Sequence, residues 1–436
     1  MQCQKEGEAV STVAAKPQRL GELIQYYRQK KELSLSKLQE AVGIDKGSLS
    51  RIENSEVKRP DFQSILSIAA VLDIPHDAIV EQYIEIGHKS EVIYAILQNE
   101  LTTLEYPSLI PKIAAKFLEA PNEDSLDAVE KLYRTINSVN HPSTQLSLYT
   151  LIVDYSRAHG IMPYIAKGLY QKYMIERNDF SRLKETYQVG KNVLDYANFL
   201  SDKERILLYY GLSVHAYSLM YYHDAIEFGN YVVENGTGEP LANATHNVCN
   251  AYYHLGNYDD CNTYLEKYSH FPYPFVKENV ELMTAFLNGK KGNIEFAITQ
   301  FNKCLNTLSS YNMIHAITEL MELYLHRNDL IAADQLLMYE EQILESITQP
   351  QTTPYKRSRL AYYFRIKGQL LTLKKHEKDA IDSFLKSTME YVKIGRFTEA
   401  FESLSFVTQS MIHNQSIINS EMIKKVDNIL QIIAAK

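Results

Sequence analysis

The residues that decide the fold of the N-terminal region are 45–54, with the sequence DKGSLSRIEN. Asp45 stands where a helix N-cap is wanted, because its carboxylate can accept hydrogen bonds from free backbone N–H groups. Leu49 and Ile52 then fall on one side of the helix, while small and basic side chains fall on the other. Residues 34–42 carry the apolar stripe of a preceding helix, and a glycine supplies the tight turn between the two. The pattern predicts a helix-turn-helix.

The outward side of the second helix has the side chains that direct readout of DNA requires, with donors near the helix N-terminus. These candidate base-reading residues are Lys46, Gly47, Ser48 and Arg51. An amphipathic helical hairpin without any role on DNA would show the same alternation of apolar and polar residues. The two-helix pattern by itself therefore leaves that alternative open.

Residues 18–84 resemble the Cro/phage-repressor (XRE) family of DNA-binding domains, which have five short helices. The spacing of all five helices is present, with Pro60 opening helix 4 and Ile74-Pro75 before helix 5, and residues 53–60 are close to the family's loop. By position, the resemblance implies that Lys46, Gly47 and Arg51 read bases. It also implies that phosphates are contacted by Asn54, Lys58 and Arg59.

The same resemblance implies a buried ion pair between Arg28 and Glu53 that ties helix 1 to helix 3. Two positions depart from the family. Leu35 stands where the family usually has a glutamine that braces a phosphate, and Ser55 replaces the usual glycine. These departures concern the details of operator contact rather than the fold.

The charge distribution separates this small domain from the rest of the chain. The whole chain has 45 basic and 53 acidic residues, a net charge of −8. Residues 16–60 instead contain ten Lys or Arg against six Asp or Glu, a local excess of four positive charges. A basic unit on an acidic body favours a protein whose larger part binds something other than DNA.

Compartment signals favour the cytoplasm. The four cysteines are far apart in sequence, which indicates neither a metal site nor a disulfide framework. The polar N-terminus does not have the pattern of a signal peptide. No apolar run approaches the roughly 20 residues of a membrane span.

From about residue 90 onward the apolar residues recur at helical spacing, and the sequence shows an internal repeat. Small residues that allow close helix packing recur every 36 positions, at Ala225, Cys261, Ala297 and Ala333. Four residues before each of them stand the predicted turns, at Tyr221, Asn257, Asn293 and Asp329. A further unit has Phe364, Gly368, Ala380 and Phe384 at the aromatic and small positions of a tetratricopeptide repeat. We read Cys249 and Cys261 as facing small residues of one hairpin.

Weaker helical pairs are expected around residues 144–177 and 180–200, and a capping or dimerising last helix near 420–434. Residues 346–356 are predicted to form a long loop. The predicted fold class is all-α, with a five-helix helix-turn-helix domain before a right-handed tetratricopeptide-like superhelix. The predicted domains are a disordered N-terminus at 1–17, the DNA-binding domain at 18–84, a linker at 85–100 and the repeats at 101–436. His88, in that linker, is read as a surface loop residue.

The first helices of stacked pairs line the inner surface of such a superhelix. Asparagine can pair with both the C=O and the N–H of an extended peptide, tyrosine adds an apolar wall with a polar tip, and arginine can hold a carboxylate. The glutamates of this surface suit a basic or N-terminal group. The residues that the repeat places there are Tyr210, Tyr217, Asn243, Asn247, Asn250, Tyr253, Asn279, Glu319, Glu322, Tyr362, Arg365 and Gln369. They predict a groove for a short linear peptide, although asparagine and tyrosine are also simply common in this chain.

A repressor-type domain joined to tetratricopeptide-like repeats resembles the Rgg–Rap–NprR–PlcR–PrgX group of quorum-sensing receptors. This resemblance implies a cytoplasmic transcription regulator that binds operator DNA, forms a homodimer through its repeats and responds to a short re-imported peptide. Some members of the group bind or dephosphorylate a response regulator, which leaves that partner, through residues 100–140, as an alternative. A scaffold that binds a protein partner in the same groove is a second alternative.

The motifs that would indicate an enzyme are missing from the sequence. Residues 289–292, GKKG, lack the spacing of a phosphate-binding loop, and no zinc-protease or nucleophile motif is present. We therefore expect no catalytic residues, no cofactor and no metal.

Overall fold

The computed structural model describes residues 19–305, 308–347, 352–413 and 420–434, and all regular structure within them is helical. The chain divides into two compact units, residues 1–172 and 173–436. The helices that begin in the first unit are α1 (Leu20–Lys30), α2 (Leu35–Val42), α3 (Lys46–Glu53), α4 (Phe62–Leu72), α5 (His76–Ile84), α6 (Ser90–Thr103), α7 (Leu109–Leu118), α8 (Ser125–Ile136), α9 (Pro142–His159) and α10 (Met162–Glu176). The predicted disorder at 1–17 lies outside the described residues.

The second unit continues with helices joined by short turns. They are α11 (Leu183–Asn192), a 3₁₀ helix (Val193–Phe199), α12 (Asp202–Ser218), α13 (Tyr222–Asn235), α14 (Gly238–His254), α15 (Tyr258–Ser269), α16 (Pro274–Lys290), α17 (Ile294–Cys304), α18 (Ser310–His326), α19 (Leu330–Gln335), a 3₁₀ helix (Leu336–Tyr339), α20 (Glu340–Glu345), α21 (Pro354–Leu373), α22 (Glu377–Lys393), α23 (Phe397–His413) and α24 (Ser420–Ala434). The predicted all-α fold is confirmed. Across the part of the chain that the structure describes, no helix is both long and apolar enough to span a membrane.

Helices α1–α5 form the predicted helix-turn-helix domain. Asp45 caps α3 by accepting from the Ser48 backbone N–H at 2.9 Å. The turn before it uses Gly43 at φ +72°, a left-handed conformation that costs glycine little. Leu49 and Ile52 are buried against the neighbouring helices. Helix 4 begins at Phe62 with Asp61 as its N-cap, so Pro60 lies in the preceding loop rather than at the helix start.

The ion pair implied between α1 and α3 is present. Arg28 Nε donates to one carboxylate oxygen of Glu53 at 2.6 Å, and Nη2 donates to the other at 2.9 Å. The third donor, Nη1, reaches the Leu33 carbonyl at 2.8 Å. Only 4% of the Glu53 side chain and 14% of the Arg28 side chain are exposed. The hydrogen bond to Glu53 raises the pKa of Arg28. The pair is a bidentate salt bridge that is largely shielded from solvent.

The predicted linker, residues 85–100, is mostly helical, because α6 begins at Ser90. Helix α6 buries Ile93, Ile96 and Leu97. Ion pairs join α5 to α7, and one of them is Lys116 with Glu85 at 2.9 Å. The first compact unit continues to residue 172, so a boundary between linker and repeats at residue 100 stays a prediction.

His88 corrects the reading of a surface loop residue. Its side chain is buried and stacks on the Tyr83 ring at a centroid distance of 4.1 Å. Its Nε2 lies 3.1 Å from the Tyr83 carbonyl oxygen. Burial lowers the pKa of His88, which favours the neutral ring. The residue does lie in the loop between α5 and α6, but the sequence did not show its burial, because this depends on stacking against Tyr83 of α5.

The 36-residue repeat corresponds to helices that all begin in the same way. Tyr221, Asn257, Asn293 and Asp329 are the N-caps of α13, α15, α17 and α19. The residue before each N-cap has a left-handed backbone, at φ +57° to +83°. The small residue in each fourth helical position, Ala225, Cys261, Ala297 or Ala333, is fully buried. The predicted hairpin pairing of these helices is confirmed.

Close packing explains why the repeat selects small residues. Cys249 Sγ and Cys261 Sγ lie 3.6 Å apart within the α14–α15 hairpin, as two buried free thiols. A Cβ on Gly368 would lie 2.5 Å from the Phe384 ring, so only glycine allows this approach of α21 and α22. The predicted last helix is also present as α24. Of the predicted loop at 346–356, residues 348–351 lie outside the described residues and α21 begins at Pro354.

Candidate functional site

The outward face of α3 presents its polar side chains to solvent. Lys46, Gly47 and Arg51 are exposed, and Ser48 is half-buried beside the N-cap. The Lys46 backbone N–H donates to Gln39 Oε1 at 2.9 Å, which ties the start of α3 to α2. The hydrogen bond from the Ser48 side chain lowers the pKa of Asp45, which stabilises the carboxylate that caps the helix. Direct readout of DNA bases requires a helix whose inner face packs against the domain and whose outward donors are free to reach the base edges.

The loop after α3 places the other candidate DNA-binding residues beside this face. Asn54, Lys58 and Arg59 are all exposed. Ser55 adopts φ +57°, the left-handed conformation that explains the family's usual glycine at this position. Arg59 Nε donates to the Gly87 carbonyl at 3.2 Å, so one of its donors is directed at the chain itself. Six of these seven residues are exposed and Ser48 is half-buried; we call the seven residues predicted to contact DNA the DNA-reading strip.

The second unit contains a cavity of about 420 Å³. Its walls come from α12, α14, α16, α18 and α21, which are the first helices of successive pairs. Ligand pockets in proteins commonly have volumes of about 300–1,000 Å³. Eight of the twelve residues predicted to bind peptide line it: Tyr210, Tyr217, Asn243, Asn247, Asn250, Tyr253, Asn279 and Glu319.

The asparagine amides of the cavity are partly engaged with the protein itself. Asn247 Nδ2 donates to Ser213 Oγ at 2.7 Å, and Asn250 Nδ2 lies 3.2 Å from His246 Nε2. Asn279 Nδ2 donates to the Tyr268 hydroxyl at 2.9 Å, while its oxygen accepts from Asn312 at 3.3 Å. These bonds hold the amide planes in fixed orientations. Asn247 and Asn250 each keep a side-chain oxygen for which these bonds leave acceptor capacity.

The remaining four predicted residues lie in a different cleft. Glu322, Tyr362, Arg365 and Gln369 line a separate space of about 350 Å³ next to α23. Arg365 is also occupied: Nη1 donates to Glu402 at 2.8 Å, Nε to Ser403 Oγ at 3.1 Å and Nη2 to the Glu399 carbonyl at 2.9 Å. The prediction placed all twelve residues on one surface, and the structure divides them between two.

A charged cluster on the cavity wall was missed by the sequence reasoning. Arg359 Nη2 donates to Glu319 Oε1 at 3.1 Å. Lys290 Nζ lies 3.3 Å from the other Glu319 oxygen and 3.6 Å from Glu322. The glutamates predicted to hold a basic ligand group are therefore already paired with Arg359 and Lys290. Two positive and two negative side chains leave the cluster with no net charge.

Aromatic residues from four helices meet across the cavity. Tyr355, at the start of α21, has its ring centroid 4.7 Å from that of Tyr217 on α12. The Tyr355 hydroxyl lies 3.0 Å from His254 Nε2, and its ring stacks on His315 at 5.3 Å. The N-terminal turn of α21 thereby covers the cavity between α12, α14 and α18. Neither these histidines nor Tyr355 had been predicted to line the site.

Burial keeps four histidines of this unit neutral. Burial lowers the pKa of His254 to about 3, with a further contribution from Arg359. His246 and His215 have pKa values lowered by burial to about 4. His315, which is 6% exposed, has its pKa lowered well below the ordinary value by burial and by Arg359. At neutral pH these rings act as hydrogen-bonding and stacking groups rather than as charges.

The comparisons with known proteins concern the first domain most directly. Residues 24–79 match the sequence profile of the helix-turn-helix family. The HTH-type transcriptional regulator SinR of Bacillus subtilis (strain 168) is 35% identical over 63 residues, 14% of this chain and 57% of SinR. The match thus spans about half the length of this curated relative. The chain therefore carries the predicted helix-turn-helix domain, and the curated relative it matches is named as a transcriptional regulator.

Two solved structures match over nearly their whole length at low identity. Bacillus thuringiensis PlcR, in complex with the peptide PapR7 and DNA, is 15% identical, with 88% of this chain and 99% of PlcR covered and a TM-score of 0.26. The apo form of the quorum sensor NprR from B. thuringiensis is 13% identical over the same shares, with a TM-score of 0.36. Both proteins carry names of the group that the sequence resembles.

Proposed function

We propose that this chain is a transcription regulator that binds operator DNA through α3 and a short linear peptide in the cavity of its second unit. One observation carries the proposal. A single chain combines the DNA-reading strip with a half-open cavity lined by asparagine and tyrosine side chains. The match to SinR, an HTH-type transcriptional regulator, supports the first half. The chemistry of the cavity wall supports the second.

On DNA, α3 would lie in the major groove with Lys46, Ser48 and Arg51 toward base edges. Arginine with two parallel donors suits the O6 and N7 atoms of guanine. Gly47 would let the helix backbone approach the groove closely. Asn54, Lys58 and Arg59 would contact phosphates, which sets affinity and salt dependence without reading sequence.

In the cavity, an extended peptide would lie across α14 and α16. Asn250 and Asn279 line the same cavity from these neighbouring helices, so one backbone can meet both. A peptide of five to ten residues extends over roughly 17–36 Å when fully stretched. The cavity volume of about 420 Å³ would therefore hold only part of it. The remainder would lie along the open side of the groove.

The proposed assembly is a homodimer joined through the second unit. Large apolar side chains are exposed on its last two helices: Phe401 at 50%, Ile412 at 73%, Ile423 at 55% and Leu430 at 42%. Clustered exposed apolar residues mark association surfaces. Met422 and Ile429, on a neighbouring face of α24, pack into the core and hold the helix in place. A dimer would read two half-sites about 34–36 Å apart, or at a multiple of that distance.

The proposed function is tested with operator duplexes selected by the full chain from a random-sequence library. We expect one enriched sequence with two-fold symmetry, and binding that weakens steeply as salt rises. A peptide encoded by a small open reading frame next to the gene should then change the affinity for that duplex. Selection that enriches no sequence would contradict the regulator. Phosphate loss from a phosphorylated response regulator on mixing would support the alternative function instead.

A further inference from the structure

Two hydrogen-bond donors on the cavity wall have no acceptor within the described part of the chain. They are Arg359 Nε and the Tyr253 hydroxyl, and both atoms are buried. The Arg359 side chain is 13% exposed, and Tyr253 is 8% exposed. Leaving a buried donor without a partner costs free energy, so native structures rarely do so without a functional reason.

The two donors belong to one region of the cavity. Both residues line it, and each interacts electrostatically with Glu319 and with the other. Arg359 Nη2 donates to Glu319 Oε1, whereas Nε has no acceptor in the described part of the chain and is therefore a donor available to a ligand. Arg359 also lowers the pKa values of His254 and His315, in addition to the effect of burial.

An apolar surface lies directly beside these donors. The Tyr253 and Phe286 rings lie 5.6 Å apart, and Leu282 and Met283 continue the same wall from α16. A ligand that reaches Arg359 and Tyr253 would thus place adjoining atoms against an apolar surface. Two parts of a peptide present an oxygen acceptor next to an apolar side chain. One is a C-terminus that follows an apolar residue, and the other is an acidic residue beside an apolar one.

From this geometry we infer that a carboxylate of the peptide ligand accepts hydrogen bonds from Arg359 Nε and the Tyr253 hydroxyl. The inference rests on the proposed function and names the ligand class: a peptide with a carboxylate next to an apolar residue. The carboxylate is either the free C-terminus or the side chain of Asp or Glu. A charged acceptor is favoured over a peptide carbonyl because a carboxylate adds a charge–charge attraction to the guanidinium that a neutral carbonyl lacks. Arg365 was predicted to hold a carboxylate; we assign that role to Arg359 instead.

Three pools of random heptapeptides separate the sources. The first has free C-termini and no Asp or Glu, the second has amidated C-termini and includes Asp and Glu, and the third is amidated and lacks both. The full chain is dialysed against each pool, and retained peptides are identified by mass spectrometry. We expect retention from the first or second pool and at least ten-fold less from the third. Retention from the first alone assigns the C-terminus, and from the second alone an acidic side chain.

Two results overturn the inference in distinguishable ways. Equal retention from all three pools would agree with peptide binding but contradict recognition of a carboxylate. No retention from any pool contradicts the proposed peptide function as well as the inference.

A matched pair of variants tests the donors themselves. Tyr253→Phe removes only the hydroxyl, which makes no hydrogen bond in the described structure, so the fold should melt as the unchanged chain does. Its preference for an acid over the matching amide should fall about ten-fold. Tyr252→Phe, one residue away and outside the cavity lining, is the control and should keep the preference. Arg359→Lys keeps a charge beside Glu319 and should lose the preference too. A Tyr253→Phe chain with unchanged acid preference would show that the Tyr253 hydroxyl does not bind the carboxylate.

Discussion

The DNA-reading strip and the cavity place very different demands on their side chains. On α3, Lys46 and Arg51 are exposed, and the stability of the domain comes from residues beneath them, such as Leu49 and the Arg28–Glu53 pair. In the cavity, Asn247 and Asn279 are bonded to the scaffold that they would present to a ligand. On α3, different residues therefore serve binding and folding, whereas in the cavity the same residues serve both. Mutations should divide in the same way.

The largest expected effect comes from the support beneath the DNA-reading strip. Arg28→Ala leaves the Glu53 carboxylate buried without its main partner. Removing one member of a buried pair costs about 3–5 kcal/mol, and the 14% exposure of Arg28 points to the lower end. The first domain should melt at a markedly lower temperature while the repeats melt as before. Calorimetry of the full chain measures both transitions. Exposed Lys30→Ala is the control, and an unchanged first transition in Arg28→Ala would show that the pair is unimportant.

Substitutions on the strip itself should change binding and leave stability alone. Arg51→Ala should weaken binding to the selected operator by about 1–3 kcal/mol and relax the preference at one base pair. Lys58→Ala and Arg59→Ala should weaken binding to all sequences and flatten the salt dependence, with a smaller loss for Arg59 if its bond to Gly87 persists on DNA. Anisotropy titrations with matched and mismatched duplexes separate the two classes. An Arg51→Ala chain with the original sequence preference would sink the assignment.

Acid should destabilise the second unit through its buried histidines. The pKa of His215 is lowered by burial to about 4, whereas an unfolded histidine titrates near 6.5. Between these values the unfolded chain binds a proton that the folded chain does not, so stability falls as the pH falls below about 6.5. One fully shifted histidine contributes up to about 1.4 kcal/mol per pH unit.

Urea denaturation at pH 7.0, 6.0 and 5.0 measures this slope. His215→Gln should reduce it, because glutamine can still donate to the Leu183 carbonyl, which lies 2.8 Å from His215 Nε2, but does not titrate. His270→Gln, an exposed position, should leave it unchanged. If His215→Gln keeps the slope of the unchanged chain, His215 does not contribute to the acid sensitivity.

The smallest effects concern the cavity amides, and there binding and stability should change together. Asn250→Ala and Asn279→Ala should each weaken peptide binding by about 1 kcal/mol, the worth of one neutral hydrogen bond. Asn279→Ala should also lower stability by a similar amount, because it removes the bonds to Tyr268 and Asn312. Operator affinity without peptide should stay nearly intact in both. Isothermal calorimetry and a gel shift measure the two properties, and a double variant that binds peptide normally would place the site elsewhere.

The sequence predicted most of what depends on local spacing. The helix-turn-helix follows from an N-cap, a glycine turn and apolar residues within a few positions of one another. The 36-residue step likewise identified the start of α13, α15, α17 and α19, because each hairpin repeats the same short-range packing. His88 was misread, because its burial depends on Tyr83 and the packing of a neighbouring helix.

The cavity was predicted only in part, because its extent depends on helix length. The repeat placed Tyr362 on the inner surface, but α21 begins eight residues earlier. Tyr355 and Arg359 lie seven and three positions before Tyr362, so these extra turns extend the same helical face into the cavity. The repeat gives the face of each helix. It does not give the contacts between helices of different pairs, such as that of Tyr355 with His254, 101 residues away, or those of Arg365 with α23 beside the second cleft.

The measurement that tests the central claim most directly combines both sites in one titration. A fluorescent operator duplex, selected as above, is titrated with the full chain in the absence and presence of a peptide retained by it. We expect the peptide to change the operator Kd by about 5–150-fold, the range of a coupling free energy of 1–3 kcal/mol. Asn250→Ala should bind the operator normally and need more peptide for the same change. An operator Kd that saturating peptide leaves unchanged would contradict the account of a peptide-responsive regulator.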